Sequence, residues 1–231
     1  WILTHPEFEL APDQTRRLEE GLKRLVSGEP LPYILGHWEF FGLDFIVTPD
    51  VLIPRPETEL LVEVALKWLE KHPSRRRAVD VGTGSGCIPE LQIVATDISA
   101  AALAVARRNA KMHHVDDQIT FVQCDLLPEK TLRFDLICAN LPYIPTETLM
   151  NLSVYQSEPS LALEGGPQGL ALIRRLLQSG SDRLTDGGLI LLEIEASQGE
   201  SAAAEARANL PAASIEVMAD LAGRDRLLKI E

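Results

Sequence analysis

The sequence predicts an α/β fold in which helices cover a doubly wound, mostly parallel β-sheet with an antiparallel last strand. From residue 78 onward, short apolar runs alternate with longer stretches of helical periodicity, a pattern typical of parallel sheets. The first apolar run ends in a glycine-rich turn, as expected where a strand meets a ligand-binding loop. Only a short turn separates the last two apolar runs, so we expect them to pair antiparallel.

A helical segment and a β-hairpin precede this alternating region. Residues 1–30 are polar, carry leucines at helical spacing and end near Gly28, which predicts the remnant of a helical domain. Residues 31–56 contain two apolar-rich runs, which predict a β-hairpin centred near Gly42 and then an irregular linker. We assign residues 57–231 to the α/β domain, which opens with a helix.

The elements of the α/β domain follow from its apolar runs. The predicted strands are Ala78–Val81, Ile93–Thr96, Ile119–Val122, Phe134–Ala139 and Leu189–Ile194, followed by Ser214–Met218 and Arg226–Ile230. The predicted helices between the strands are Ser99–Lys111 and Leu170–Leu184. This order of elements gives a parallel sheet with one antiparallel strand near the end of the chain.

One connection is too short for this fold. Only Cys-Ile-Pro-Glu-Leu-Gln separates Gly86 from Ile93, whereas a parallel crossover needs a dozen or more residues and Pro89 would break a helix there. We therefore expect a segment to be absent from the sequence at this point. Ile88 and Pro89 would then not be neighbours, and their Cα atoms would lie farther apart than the ~3.8 Å of a trans peptide.

The composition and charge argue against a nucleic-acid-binding, membrane, secreted or metal-binding protein. A net charge of −12 repels phosphate backbones, and the basic run Arg75-Arg76-Arg77 is more simply a solvated turn than a nucleic-acid patch. No apolar stretch reaches the ~18 residues of a membrane helix, and the first residues do not resemble a secretory signal. Cys87, Cys124 and Cys138 have no zinc-binding spacing. We therefore expect no metal, no membrane and the reduced thiols of a cytoplasmic protein.

The first candidate site is the glycine-rich turn after the first predicted strand. Glycine lets the backbone approach a ligand closely and present its amides to it, although plain turns use glycine too. The residues of this turn are Gly82, Thr83, Gly84, Ser85 and Gly86. Asp97 ends the second strand, where a carboxylate can accept from both hydroxyls of a ribose. Its alternative role is a helix N-cap, but Ser99 can fill that role and leave Asp97 free.

Two further candidates follow the third predicted strand. Asp125 at the carboxyl edge of the sheet can accept from an adenine amino group, with Leu126 against the ring. A plain loop carboxylate explains Asp125 equally well.

The most specific motif is Asn140-Leu141-Pro142-Tyr143. The Asn140 side-chain oxygen and the Leu141 carbonyl, fixed by Pro142, offer two acceptors, and Tyr143 offers a flat face. Two acceptors suit a primary amide, whose nitrogen is a poor nucleophile because its lone pair is delocalised. Catalysis on such a group would rest on positioning and preorganised hydrogen bonds. The competing interpretation is a simple turn after a strand.

These blocks together resemble the class I S-adenosylmethionine methyltransferases, whose sheet is Rossmann-like. Among them the chain is most similar to the protein-(glutamine-N5) methyltransferases of peptide-chain release factors, the PrmC family. The resemblance covers nearly the whole chain, and its most discriminating block is Val51-Leu-Ile-Pro-Arg-Pro-Glu-Thr-Glu. Further blocks are Glu29-Pro-Leu-Pro-Tyr-Ile-Leu-Gly, Phe40-Phe-Gly-Leu-Asp-Phe, Asn140-Leu-Pro-Tyr-Ile-Pro, Glu158-Pro-Ser-Leu-Ala-Leu and Asp220-Leu-Ala-Gly-Arg-Asp-Arg.

The resemblance implies roles for particular residues. S-adenosylmethionine would lie against Gly82–Gly86, Asp97, Asp125, Leu126 and Asn140. Asn140 to Tyr143 would hold the glutamine of the release-factor GGQ motif, with Arg55, Glu57 and Glu59 organising the entrance or covering the cofactor. Glu57 and Glu59 also suit a helix N-terminus.

Two departures from the family pattern concern the substrate. Asn-Leu-Pro-Tyr replaces the usual Asn-Pro-Pro-Tyr, but the acceptor at Leu141 is a main-chain carbonyl, so we expect activity to survive. The N-terminal helical domain, which the family uses in substrate recognition, is present only as a remnant.

Two rival functions fit the sequence less well. A nucleic-acid adenine-N6 methyltransferase is opposed by the negative charge and by the Val51–Glu59 block. A cofactor-free binding module on the same fold leaves the coincidence of the glycine turn, Asp97 and Asn140 without explanation. A nicotinamide dinucleotide would also use a glycine turn, but Asp125 together with Asn140 favours an adenosyl group beside a reacting amide.

Overall fold

The computed structural model describes residues 4–5, 7–75, 77–86, 92–128 and 132–231. Its strands are β1 His37–Phe40, β2 Leu43–Ile46, β3 Arg77–Val81, β4 Gln92–Asp97, β5 Ile119–Gln123, β6 Phe134–Ala139, β7 Leu184–Glu193, β8 Ile215–Ala219 and β9 Asp225–Ile230. Its α-helices are α1 Pro12–Val26, α2 Leu31–Leu35, α3 Glu59–Lys71, α4 Ala100–Met112, α5 Thr146–Leu149, α6 Ala171–Gly180 and α7 Gly199–Asn209.

The main sheet has seven strands in the order β5-β4-β3-β6-β7-β9-β8. Strands β3 to β7 pair in parallel, whereas β9 runs antiparallel to both β7 and β8. The predicted fold class is therefore confirmed. The chain leaves β3 toward β4 and β5, then returns to the other side of β3 at β6. This reversal creates a switch point between β3 and β6, where such sheets bind ligands.

Helices cover both faces of this sheet because its central strands are apolar on both sides. Every residue of β6 is buried. On one face α3 packs Leu61, Ala65 and Trp68 against the sheet, and on the other face α6 and α7 contribute a second buried cluster. Burial on both faces is the arrangement expected of a doubly wound sheet.

The β-hairpin is confirmed. Strands β1 and β2 pair antiparallel with Phe40 opposite Leu43, and Phe41 and Gly42 between them have φ values of 52° and 73°. Positive φ at both central residues is the signature of the tight turns that match strand twist. Asn109 of α4 anchors the hairpin, because its side chain accepts from the Ile46 amide at 2.8 Å and donates to the Ile46 carbonyl at 3.0 Å.

Two predicted segments differ from the structure, and helix α7 is additional to the predicted elements. The helix predicted over Leu170–Leu184 ends at Gly180, and β7 begins at Leu184 because that residue pairs with Phe134 across an irregular stretch of sheet. Residues 31–35, expected within the hairpin and linker, form α2, which Gly36 ends at a φ of 79°.

Two arginines of the basic run Arg75-Arg76-Arg77 have partners in the fold. Arg75 donates to Thr185 at 2.8 Å and to the Asp186 carbonyl at 2.6 Å, and it forms an ion pair with Asp135. Arg77 also lies beside Asp135. These two side chains therefore fasten the amino edge of the sheet, and Arg76 lies outside the described residues.

The expected break between Ile88 and Pro89 lies outside the described residues, as does Cys87. Within the described part of the chain, no helix is both long and apolar enough to span a membrane.

Candidate functional site

The carboxyl ends of β3 to β6 meet at the switch point and enclose a cavity of about 280 Å³. Many of the predicted site residues line it: Arg55, Gly82, Thr83, Gly84, Ser85, Asp97, Asp125, Leu126, Asn140, Leu141 and Pro142. Gly86 and Tyr143 do not. The fold therefore brings together most of the residues selected from separate parts of the sequence.

Glycine is required in the turn after β3 for two different reasons. Gly82 has a φ of 74°, and a Cβ atom there would lie 3.3 Å from the Leu141 side chain, so glycine lets the two loops approach each other closely. Gly86 has a φ of 82°, and its Cβ atom would lie 3.3 Å from the Cβ of Ala106. Gly86 thus permits the turn to pack against α4 and does not face the cavity.

Asp97 is free of the N-cap role, as expected, but its carboxylate has other partners. Its Oδ2 accepts from the Gly84 amide at 3.1 Å and its Oδ1 accepts from the Ser99 amide at 2.8 Å. The prediction for Ser99 is confirmed, because its hydroxyl caps α4 by accepting from the Ala102 amide at 3.1 Å. A carboxylate has about four lone-pair sites, so Asp97 orders the glycine turn and still offers acceptors to the cavity.

Asp125 and Leu126 both line the cavity, on a strained piece of backbone. Leu126 has a φ of 65°, which is uncommon for a residue other than glycine and is often found at functional sites. The Thr96 hydroxyl holds it by donating to the Leu126 carbonyl at 2.7 Å. Asp125 accepts from Arg175 of α6 at 2.7 Å, a cavity residue that the sequence did not single out.

Asp80 is a further cavity residue missed from the sequence. Burial raises the pKa of its carboxyl to about 6, opposed by hydrogen-bond donation from the Thr83 hydroxyl and supported by the nearby charge of Asp97. The carboxyl therefore changes charge close to neutral pH, which is typical of functional sites.

Asn140 is held by a residue of the Val51–Glu59 block. Its Nδ2 donates to the Thr58 hydroxyl oxygen at 3.0 Å, which leaves Oδ1 as the acceptor available to a ligand. Thr58 also lines the cavity. Thr58 belongs to the Val51–Glu59 block that discriminates the family, but the sequence alone predicted no role for this residue.

Tyr143 lines a second cavity of about 240 Å³. The residues shared by the two cavities are Leu52, Arg55, Asn140, Leu141 and Ala162. Asn140 and Leu141 therefore form part of the boundary between a larger and a smaller space, with Tyr143 on the smaller side.

Hydrogen bonds from neighbouring segments hold the backbone where the Asn140–Tyr143 motif ends. The Ile144 amide donates to the Leu163 carbonyl at 3.0 Å, and the Gly165 amide donates to the Ile144 carbonyl at 2.8 Å. Gln198 donates from Nε2 to the Tyr143 carbonyl at 3.0 Å. These bonds fix the turn in one position, which a simple solvent-exposed turn would not require.

The predicted entrance residues have different surroundings. Arg55 forms an ion pair with Glu158, which is buried and also accepts from the Ile53 amide at 3.1 Å. Glu59 instead accepts from the Phe41 amide at 2.9 Å and so holds the hairpin turn. Neither Glu57 nor Glu59 lines either cavity, and no metal-binding group of acids, cysteines or histidines occurs among the described residues.

Two family models match the chain. The methyltransferase small domain matches residues 57–157, and the PrmC N-terminal domain matches residues 1–36. Among solved structures, the ribosomal protein L11 methylase of Lactobacillus delbrueckii subsp. bulgaricus has a TM-score of 0.53 at 22% identity, covering 77% of this chain and 79% of its own. The T. thermophilus 16S rRNA N2 G1207 methyltransferase, solved with AdoMet and guanosine, has a TM-score of 0.59 at 16% identity, covering 84% of this chain and 49% of its own. These likenesses establish a methyltransferase fold.

Curated relatives are more similar in sequence. The release factor glutamine methyltransferase of Moorella thermoacetica is 44% identical over 97% of this chain and 83% of its own length. That of Koribacter versatilis is 41% identical over 84% of this chain and 72% of its own, and that of Bacillus anthracis is 34% identical over the whole chain and 86% of its own. With these relatives and the site described above, the chain belongs to the family of release factor glutamine methyltransferases.

Proposed function

We propose that this chain transfers a methyl group from S-adenosylmethionine to the side-chain amide nitrogen, N5, of a glutamine in the GGQ motif of peptide-chain release factors. The observation that carries the proposal is the pair of cavities that share Asn140 and Leu141. One cavity is suited to the methyl donor and the other to the substrate side chain, so that the reacting groups meet at the Asn140–Leu141 boundary.

The charges of the larger cavity support S-adenosylmethionine over a dinucleotide. Arg55 and Arg175 are each paired with an acid, which leaves Asp50, Asp80 and Asp97 on the cavity wall without an ion-pair partner among the described residues. Carboxylates repel a pyrophosphate and attract a cation. When bound, S-adenosylmethionine supplies an electrophilic methyl group on a positively charged sulfonium.

Residues of the chain would bind the ribose, the adenine and the glutamine amide. Asp97 would accept from the ribose hydroxyls and Asp125 from the adenine amino group, which requires Asp125 to share its bond to Arg175. Oδ1 of Asn140 and the Leu141 carbonyl would accept the two N–H groups of the glutamine amide. This arrangement would direct the nitrogen lone pair toward the transferred methyl group. As the new N–C bond forms, the nitrogen would release one of its two N–H protons to solvent, and catalysis would come from preorganised hydrogen bonds and orientation.

Asp97→Ala tests the ribose assignment. We expect weaker S-adenosylmethionine binding, by about tenfold or more, since two charge-assisted hydrogen bonds are lost. Because Asp97 also holds Gly84, thermal unfolding of the ligand-free variant must be measured beside the calorimetric affinity. A folded variant with unchanged affinity would remove the assignment.

The pKa of Asp80 predicts a pH dependence of cofactor binding. A cation bound nearby favours the ionised carboxylate, so affinity should increase as pH rises through about 6 and level off above it. Between pH about 5 and about 7 we expect a gain of up to about tenfold. Calorimetry over this range would check it, and Asp80→Asn should remove the dependence. The same pH slope in that variant would contradict the role of Asp80.

Methyl transfer tests the proposed function itself. With labelled S-adenosylmethionine, we expect label in an unmodified release factor and none in RNA or DNA. Label in nucleic acid alone would favour the adenine-N6 alternative. A thermal shift with S-adenosylmethionine separates either enzyme from a cofactor-free binding module. Release factors act in the cytoplasm, the compartment that we propose for this chain.

A further inference from the structure

Glu193 is a buried carboxylate that the mechanism above does not use. It ends β7, next to the Asn140–Tyr143 motif, and only 1% of its surface is exposed. The Tyr143 hydroxyl donates to its Oε1 at 3.4 Å, and the nearby Thr58 hydroxyl acts to lower the pKa of Glu193. Its Oε2 is buried without a hydrogen-bond partner in the described part of the chain. The two hydroxyl groups thus link Glu193 to both ends of the motif.

The link through Thr58 determines which way the Asn140 amide faces. A hydroxyl has one proton to donate and two lone pairs that accept. Thr58 accepts from Nδ2 of Asn140, which leaves its own proton for another acceptor, and the nearby Glu193 carboxylate is such an acceptor when ionised. Without that acceptor the Thr58 hydroxyl can turn and donate to Asn140. The Asn140 amide would then be free to flip and present its NH₂ group to the substrate.

A carboxylate in this position is costly. Its neighbours along the strand, Leu191, Leu192 and Ile194, are fully buried apolar residues, and charges are expensive to bury. Burial has the largest influence on Glu193 and raises its pKa above the ordinary value, although Thr58, the charge of Arg226 and Tyr143 act to lower it. Arg226 has other partners, since it donates to the Ile194 carbonyl at 3.3 Å and pairs with Asp220. Holding Arg226 in place is therefore not sufficient reason for Glu193.

We propose that Glu193 is a positioning residue for methyl transfer, which fixes the orientation of Asn140 through Thr58 and that of Tyr143 directly. The inference rests on the proposed function, because it assigns Glu193 to the site that holds the glutamine amide. It differs from that function in predicting a residue that touches neither substrate nor cofactor yet controls the rate.

Glu193→Met is the decisive variant, because methionine fills a similar volume without an acceptor. Replacing a buried charge by a well-packed apolar residue is often neutral or stabilising, so we expect the melting temperature to stay level or rise. We also expect kcat to fall about 10²-fold, since small misplacements at a reacting centre cost that much, with unchanged affinity for S-adenosylmethionine.

Asp135→Asn is the matched control. Asp135 is also a buried acid, 6% exposed, but it lies at the amino edge of the sheet with Arg75 and Thr185. This control should lose stability and keep its kcat. The two variants thus separate the effect of losing any buried carboxylate from the effect of losing this one.

Variants of Thr58 test the link between Glu193 and Asn140 independently. They also test the proposal if Glu193→Met does not fold. Thr58→Val removes the hydroxyl at constant shape and should lower kcat as Glu193→Met does, whereas Thr58→Ser should restore most of the lost rate. The Thr58→Val, Glu193→Met double variant should lose less than the product of the two single losses.

Wild-type kcat in Glu193→Met or in Thr58→Val would overturn the inference, as would a loss in Glu193→Met that Asp135→Asn reproduces. These outcomes require a wild-type chain that methylates the release factor. A wild-type chain that leaves the release factor unmethylated would instead overturn the proposed function, and this inference with it.

Discussion

Asn140→Asp should slow methyl transfer severely, although aspartate keeps a side-chain oxygen in the same place. The reason is the partner of the Asn140 NH₂ group. Nδ2 donates to the Thr58 hydroxyl oxygen, and an aspartate would face that oxygen with a second acceptor. Thr58 has one proton for two carboxylates, the introduced one and that of Glu193, so either the variant side chain turns away or the link to Glu193 breaks.

The expected loss in rate is about 10²–10³-fold, as for removal of one preorganised hydrogen-bonding group at a reacting centre. Asn140→Ala should lose a similar amount, and in both variants kcat should fall by more than the affinity for the release factor. Steady-state rates together with direct binding of the release factor separate the two quantities. Substantial activity in Asn140→Asp would mean that Asn140 acts only as an acceptor, and a wild-type rate in Asn140→Ala would reduce the motif to a turn.

Gly169→Ala should have the second large effect, on folding and on the site together. Gly169 has a φ of 73°, and a Cβ atom there would lie 2.0 Å from the Tyr143 carbonyl oxygen and 2.4 Å from Nε2 of Gln198. No rotamer change can relieve a contact with backbone. The variant must therefore push the Tyr143 carbonyl out of position or distort the segment that carries Gly169.

We expect the free energy of unfolding to fall by about 3 kcal/mol or more, combining strained backbone with a steric clash, and kcat to fall in the fraction that folds. Gly223→Ala is the matched control, because Gly223 has the same φ of 73° with nothing within 4 Å of the added Cβ atom. It should lose only about 1–2 kcal/mol from the left-handed backbone. Equal losses of stability in urea for the two variants would contradict the steric argument.

The sheet could be predicted because most of its strands coincide with a short, mostly apolar run in the sequence. The fully buried β6 is apolar at every position except Asp135, and the Phe41-Gly42 turn between apolar runs indicates a hairpin. The start of β7 was not predictable, because Leu184 becomes a strand residue only through pairing with Phe134, a contact between distant parts of the chain. Tertiary pairing there overrides a local helical period.

The lining of the site was also largely predictable, since strand-end residues of a parallel sheet gather at one edge. The partners of those residues were not. Asn140 contacts Thr58 across 82 positions and Tyr143 contacts Glu193 across 50, and no periodicity encodes such pairs. Glu193 could have been suspected as an acid that ends an apolar strand, as Asp97 was.

The most direct test of the proposed function is to identify the atom that receives the methyl group. After a short incubation with S-adenosylmethionine and an unmodified release factor, peptide mass spectrometry should find one added methyl group on the side-chain amide of the GGQ glutamine, and far less of it with Asn140→Ala over the same time. A methyl group on any other residue, or methylated nucleic acid beside an unmodified release factor, would contradict the account.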